Sequence, residues 1–399
     1  MSKVEPEVYM INSGYDGCCY VRLHLPCIYN GYKTDKPSLR EDKINTKDVK
    51  HFLDRADVVV FHRAEEQTYH DLAKMLKANG KKIVMDNDDT FKIEGFHPLA
   101  QFMPDGTPQE NLQRRERNLN EFMEMCDLVT ASTETLAEEY REHNDNVVVL
   151  PNYIDPDDWD EPMRNEGDKV RIGIVGSVSV EYDYLHIKPL LKKLSERDDV
   201  ELVLFGLQDK KTRKKNPMVS KVFKAEYAFW DSLNKEQFPW VKRYDYNERL
   251  NEAKLDLMLI PRRDNYFNRC KSNVKFLEAA MCEIPVIAQS FDNGPYEELE
   301  QYKTGVKIRD NSTIINELET KLEDKKLKST KKKELKKLIE VEQKKVTDKW
   351  EEEVDKLIND KKLRREIGKN AREYTIKNYN IEDHYQKWDN AYSSLFKTI

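Results

Sequence analysis

The sequence lacks the marks of several protein classes. Its six cysteines, Cys18, Cys19, Cys27, Cys126, Cys270 and Cys282, form no C-x-x-C pair and no zinc spacing. Three of them stand in apolar contexts and read as small core residues. No apolar stretch reaches the roughly 18–20 residues that cross a bilayer. The beginning, "MSKVEPEVYMINSG", has no basic region followed by an apolar run, and with the cysteine pattern it sets the expectation of a reduced, cytoplasmic protein. Positive charge is not in excess: 68 Lys and Arg face 74 Asp and Glu, for a formal net charge of −6. A surface coated uniformly for nucleic acid is therefore excluded, although a local basic patch is not. No short repeat is present. What the chain does have is charge of both signs, 36% of its 399 residues against 38% hydrophobic, so cores are affordable and the charge must be concentrated somewhere.

Along the chain, short β-branched runs alternate with helical segments. "EVYMINSG", "DVVVFHR", "KKIVMDNDD", "DLVTAST" and "NVVVLPN" read as strands, separated by helices such as "QTYHDLAKMLKANG", a segment near 108–125 and "ETLAEEYREH". A polar linker rich in Pro and Asp, "YIDPDDWDEPMRNEGDK", follows. The alternation then restarts with "VRIGIVGS", "VELVLFG", "LDLMLIP", "IPVIAQ" and "TGVKI". Such a pattern predicts an α/β chain of two doubly wound, Rossmann-like domains, 1–155 and 168–379, facing each other across a cleft. Residues about 312–371 are dominated by Lys and Glu and predict a solvated helix or helical hairpin outside any core. A last amphipathic helix within 380–399 has to pack on something, and the first domain is the expected partner.

Open α/β sheets bind ligands beyond the carboxyl ends of their strands, so the residues there carry most weight. After the first strand, Gly14 and Gly17 let a backbone approach a ligand, and Tyr20 and Arg22 are placed to project into the cleft; a plain tight turn is the alternative. The spacing is not G-x-G-x-x-G, which argues against a dinucleotide. In "DNDD", Asp86, Asp88 and Asp89 crowd three carboxylates, which should raise a pKa, recruit a cation or bind hydroxyls, or else cap a turn. Gly176 and Ser177 follow the first strand of the second domain and suit a phosphate or sugar. "CKSNVKFLEAAMCEIPVIA" places Lys271, Lys275 and Glu278 on one helical face behind an N-capping Ser272. Lysines at a helix N-terminus oppose the dipole, so either an anion sits there or both are solvated surface charges. From Lys210 to Lys224 there are seven basic residues and no acidic one, Lys211, Arg213, Lys214 and Lys215 among them. This run is a solvated loop or a field for a polyanionic acceptor.

Together these segments resemble glycosyltransferase family 4, the retaining enzymes of GT-B fold. "KSNVKFLEAAMCEIPVIA" is the most similar part, and "ADVVVFHR", "GKKIVMDNDDTF", "LVTASTETLAEEY" and "VVVLPNYIDPDDW" occur in the family's order. The resemblance implies a nucleoside-diphosphate sugar as donor, UDP first among the nucleotides, with no metal or other cofactor and no protein nucleophile. Glu278 matches the second glutamate of the family's E-x7-E signature, expected at the donor ribose, while Lys271, Ser272 and Lys275 would meet the diphosphate. The first glutamate of that signature falls at Cys270. The Arg and Lys usual after the second domain's first strand are absent from "GSVSVEYDY", and Cys282 and Glu283 stand where the family turns on a small residue. Arg22, Asp88 and Asp89 are the candidate catalytic residues on the acceptor side. Tyr20 and the basic loop are the candidate acceptor contacts. The expected acceptor is a glycan or glycolipid; DNA with a hydroxylated base comes second, and an epimerase or a silent binding protein further behind.

Overall fold

The computed structural model describes residues 6–11, 16–35, 46–93, 107–176, 180, 183–207, 224–309, 312–322, 324 and 327–396. Two six-stranded sheets organise the chain. The first is built from β1 (Val8–Ile11), β2 (Lys33–Asp35), β3 (Val58–His62), β4 (Lys82–Asn87), β5 (Leu128–Ala131) and β6 (Val147–Val149) in the order β2-β1-β3-β4-β5-β6. Every pairing is parallel, and Val58–His62 is buried along its whole length, as a strand covered by helices on both faces must be. The covering helices are α1 (Thr46–Arg55), α2 (Gln67–Ala78), α3 (Pro108–Met125) and α4 (Glu134–Tyr140). Thr107 and Glu110 form a reciprocal capping box at the start of α3, so this helix begins where its sequence says it should.

The second sheet contains β7 (Val170–Val175), β8 (Val200–Phe205), β9 (Glu236–Phe238), β10 (Leu257–Ile260), β11 (Val286–Gln289) and β12 (Val306–Ile308), ordered β12-β11-β10-β7-β8-β9 and again all parallel. Its helices are α5 (Lys188–Ser195), α6 (Lys224–Ser232), α7 (Arg243–Glu252) and α8 (Val274–Met281), followed by α9 (Ser312–Leu322), α10 (Ser329–Asn359), α11 (Lys361–Tyr379) and α12 (Gln386–Ser393). The two halves are the Rossmann-like pair of a GT-B fold. Among the described residues no helix is long and apolar enough to cross a membrane.

The Lys/Glu-rich segment departs from expectation. It does form a hairpin, α9 against α10, but the hairpin is not merely solvated. Val346, Trp350, Val354 and Leu357 recur every three or four residues on α10 and join the second domain's core beside Ile172 and Leu202. One narrow apolar stripe suffices to bury a helix whose other faces are ionic. α11 then packs on α8, where Gly368 approaches the turn after α8 so closely that a Cβ would lie 2.1 Å from the Glu283 carbonyl oxygen. Beyond α11 the chain crosses back: Ile381 N–H donates to Ile154 O at 2.8 Å, and Ile154 N–H to Tyr379 O at 2.9 Å. Ile381, Trp388 and Tyr392 are fully buried with Val8, Met10 and Val60 of the first sheet.

Candidate functional site

On the first domain's wall, Asp16 caps the helical segment that begins at Gly17, accepting from Cys19 N–H at 2.8 Å. That segment widens into a π-type turn over Tyr20–His24, which swings Arg22 inward. Arg22 therefore does not project into the cleft. It is 0% exposed and gives Asp86, also 0% exposed, two hydrogen bonds at 3.0 and 2.6 Å. Its remaining nitrogen donates to Leu150 O and to Asn152 Oδ1. Asp86 also accepts from Thr130 Oγ1 at 2.7 Å, so one of the three clustered carboxylates is fully used inside the domain. Tyr20 reaches the linker instead, donating to Asp158, with the Arg243 guanidinium 3.8 Å from the centre of its ring.

The crowding of Asp88 and Asp89 is resolved by cations. Arg63, directly after β3, holds a left-handed backbone at φ 53° and bridges Asp88 at 2.8 and 3.0 Å and Asp89 at 3.3 Å. A non-glycine residue in that conformation is strained by about 1 kcal/mol or more, and such strain gathers at functional sites. Burial alone would raise the Asp88 pKa, but Arg63 and the His62 imidazole, 3.6 Å away, hold it well below the usual carboxylate range. Of the alternatives the sequence left open for this cluster, a raised pKa is not what Asp88 shows: its pKa falls. Asp88 is 9% exposed and belongs to the wall, while Asp89 stays partly exposed at the cleft.

On the opposite wall, a short helical turn, Tyr266–Arg269, precedes α8. α8 starts at Val274 behind Asn273, so Ser272 is not its N-cap; the Ser272 hydroxyl instead accepts from Asn152 Nδ2 at 2.9 Å, across the domain boundary. Lys271 crosses the cleft to pair with Asp89, its ammonium 4.1 Å from the Phe267 ring centre. Lys275 donates to Glu278 Oε2 at 3.0 Å and to Tyr246 Oη at 3.1 Å, and Tyr246 donates to Glu278 at 2.9 Å. Burial would lower the Lys275 pKa, but Glu278 and Tyr246 raise it beyond the ordinary lysine value. Neither lysine is a plain solvated charge: each has an internal carboxylate. Cys270 is buried at 1% exposure in the first domain's core, its thiol pushed up to about 12 by burial. The position that carries a donor-facing glutamate in the resembled family is here a domain-to-domain packing contact.

Three recesses follow from this arrangement. Lys271 and Ser272 border the largest of the three, about 340 Å³, which Thr133, Thr135 and Asn152 also line together with Glu134, Glu138, Glu297 and Glu298. Asp89 and Arg63 border a second, about 220 Å³. Gly17, Tyr20 and Glu278 meet at a third, about 20 Å³, closed by the Tyr20–Asp158–Arg243 contact. Of the predicted donor residues, Lys271 and Ser272 thus border one recess and Gly17 and Glu278 another, while Lys275 and Gly176 border none of the three. Gly176 directly follows β7, with Gly206 at φ 80° so close that its Cβ would lie 2.5 Å from the Gly176 carbonyl oxygen. Gly14, Ser177, Lys211, Arg213, Lys214 and Lys215 lie outside the described residues. Among the described residues no group of three or more His, Cys, Asp or Glu side chains is disposed to hold a metal ion. Arg63, Asn152 and Arg243 were missed from sequence. The positions of Arg63 at the end of "DVVVFHR" and of Asn152 at the end of "NVVVLPN" were the available signals; Arg243 carries none.

The family model described as glycosyl transferase-like matches residues 186–390, just over half of the chain. No relative is found among the curated proteins. Among solved structures, HepE of Anabaena, in complex with UDP and glucose, superposes with a TM-score of 0.62 at 12% identity, over 98% of this chain and 100% of that one. Sucrose-phosphate synthase of Thermosynechococcus elongatus gives 0.59 at 11% identity, over 98% and 99%. A glycosyltransferase of Rickettsia africae gives 0.59 at 11%, over 99% and 100%. At these identities the likeness is one of fold.

Proposed function

The chain belongs to the glycosyl transferase-like family and has the GT-B fold, and on that premise we propose that it moves a sugar from a nucleoside-diphosphate sugar to an acceptor hydroxyl with retention of configuration, as family 4 enzymes do. The observation that carries the reading is the meeting of Lys271 and Asp89 across the cleft, with Ser272 and the N-cap Asn273 between Lys271 and α8. At the start of α8 Phe276 N–H already bonds the Asn273 carbonyl at 2.8 Å, and the N–H groups of Val274 and Lys275 before it have no partner within the helix. A diphosphate arriving there takes Lys271 over from Asp89, and the charge that develops on it as the glycosidic bond breaks meets donors already in place. Asp89, so released, is the carboxylate positioned to hold the acceptor hydroxyl. Asp88 and Arg22 act as positioning residues: the first fixes Arg63, the second ties Asp86 to Asn152 and through it to Ser272. Glu278 serves the ribose once it shares its oxygens with Lys275 and Tyr246, and Gly17, beside which no atom lies within 4 Å of an added Cβ, gives the donor backbone clearance; at Gly176 that space is filled by Val180.

UDP is the nucleotide chosen, supported by the UDP-glucose complex of HepE, whose fold this chain shares. The acceptor is a glycan or glycolipid. No described residue favours DNA, because the basic loop on which that alternative rests lies outside them. Incubation with radiolabelled UDP-, GDP- and ADP-sugars and a mixture of glycan acceptors tests the proposal. Transfer, or slow hydrolysis without acceptor, is the expected result. Isomerisation of the sugar would instead identify an epimerase, and inertness toward every donor together with no UDP binding would defeat the transfer reading.

A further inference from the structure

We propose that the acceptor unit entering the site is a single neutral pyranose ring, and that the 220 Å³ recess between the ends of β3 and β4 and the flank of α3 receives it; this rests on the glycosyl-transfer reading above. The recess has a lining of two kinds. Phe91, Ile93, Leu119 and the second domain's Phe267 give it apolar surface. Arg63, Glu65, Asp89 and Arg115 give it charge, two cations against two anions, beside the polar Asn87 and Thr90.

Those charges are already satisfied by one another. Arg115 forks onto both oxygens of Glu65 and lies 4.4 Å from the Phe91 ring centre, which fixes the ring. Arg63 bridges Asp88 and Asp89. A phosphate entering here would have to displace a bonded carboxylate from its arginine. A hydroxyl would not, because a carboxylate oxygen that accepts one bond keeps a lone pair for another. The lining therefore suits a molecule with hydroxyls on its edge and C–H groups on one face, the description of a pyranose. The volume lies below the roughly 300–1,000 Å³ typical of drug-sized ligands, which limits the occupant to about one ring. Asp89 borders both this recess and the cleft, so a hydroxyl of the bound ring is presented toward Lys271, where the diphosphate is proposed to sit.

Saturation-transfer NMR on the full chain tests this. The probes are the methyl glycosides of glucose, galactose, mannose and N-acetylglucosamine and their 6-phosphates, each with and without UDP; UDP binding is titrated by calorimetry on the same samples. At least one neutral glycoside is expected to receive saturation on its ring C–H protons, more strongly than its 6-phosphate, and to bind about tenfold more weakly to Phe91→Ala, the effect of losing one aromatic contact. Ile93→Ser is the second variant, expected to weaken the same probe should Phe91→Ala fail to fold. The proposal is overturned if the protein binds UDP but no neutral glycoside. It is equally overturned if the 6-phosphates bind better than their parents, or if a hydroxymethylcytosine oligonucleotide binds in a Phe91-dependent way. Absence of UDP binding by the parent protein would strike the transfer reading itself, a separate result.

Discussion

If Lys271 passes from Asp89 to the donor diphosphate, a double-mutant cycle on UDP binding must show it. The pair is partly exposed, 22% on the lysine side and 27% on the carboxylate side, so its net worth is that of an ordinary surface pair, about 1 kcal/mol at most. UDP must break it. Asp89→Asn keeps the shape and a hydrogen-bonding group beside Arg63 while removing the charge that competes for Lys271. Its expected effect is tighter UDP binding by up to about fivefold, the equivalent of that ~1 kcal/mol. Lys271→Ala removes a charge-assisted hydrogen bond to phosphate worth about 1.5–3 kcal/mol, so UDP affinity should fall roughly tenfold to a hundredfold. In the double variant the gain from Asp89→Asn should vanish, because there is no lysine left to release. Calorimetric titration of UDP into the four proteins gives all the corners of the cycle. The hand-over is refuted if Lys271→Ala binds UDP as the parent does, or if Asp89→Asn tightens binding equally with and without the lysine.

Three further outcomes follow from other parts of the molecule. Asp86→Ala strands the fully buried Arg22 without its carboxylate and should cost about 3–5 kcal/mol in urea unfolding; a loss under about 1 kcal/mol would contradict the pairing. Gly368→Ala puts a methyl group into the Glu283 carbonyl and should cost about 1–3 kcal/mol or more by overpacking, and an unchanged unfolding midpoint would show that α11 does not lie so close to that turn. The pH dependences of Glu139 and Asp88 should have opposite signs. Burial raises the Glu139 pKa, so above the ordinary carboxylate value the folded state binds more protons than the unfolded one and stability falls as pH rises toward the raised value. Asp88 is depressed when folded, so its contribution is present above the ordinary value and is lost as pH falls toward the folded one. Unfolding profiles over about pH 2–8 should therefore lose their decline above the ordinary carboxylate value in Glu139→Gln and their decline below it in Asp88→Asn. A parallel shift with no change of slope in either variant would rule the assignment out.

Much of the architecture was legible in the order of residues. Runs such as "VVVF" and "LVLF" are buried on both faces, and alternating such runs with helical segments leaves a parallel sheet as the arrangement that satisfies every backbone group. That Asp89 lies just past the carboxyl end of a strand, β4, follows from the same pattern, because strand direction is written in the chain; Lys271 lies beyond the helical turn that follows β10. Partnership is not written there. "DNDD" announces crowded carboxylates, yet only the pairing of β3 with β4 brings Arg63 beside them and reverses the direction of the Asp88 shift. Arg22 looks like a cleft residue in a list of residues following β1, and becomes a core residue because the widened turn at Tyr20–His24 rotates it onto Asp86. Lys271 and Lys275 read as charges in need of an anion; the folded chain supplies Asp89 from a position 182 residues away and Glu278 from the next turn. α10 reads as solvated because a single stripe of Val346, Trp350, Val354 and Leu357 is diluted by lysine and glutamate, and only its packing on the second domain's core shows that one face is enough. Periodicity is a local property, set by the 3.6- and 2-residue repeats of the backbone, and the sequence carries it in full. Which charge meets which, and which side chain faces a cleft or a core, depends on contacts between segments far apart in the chain, and those the tertiary structure alone decided.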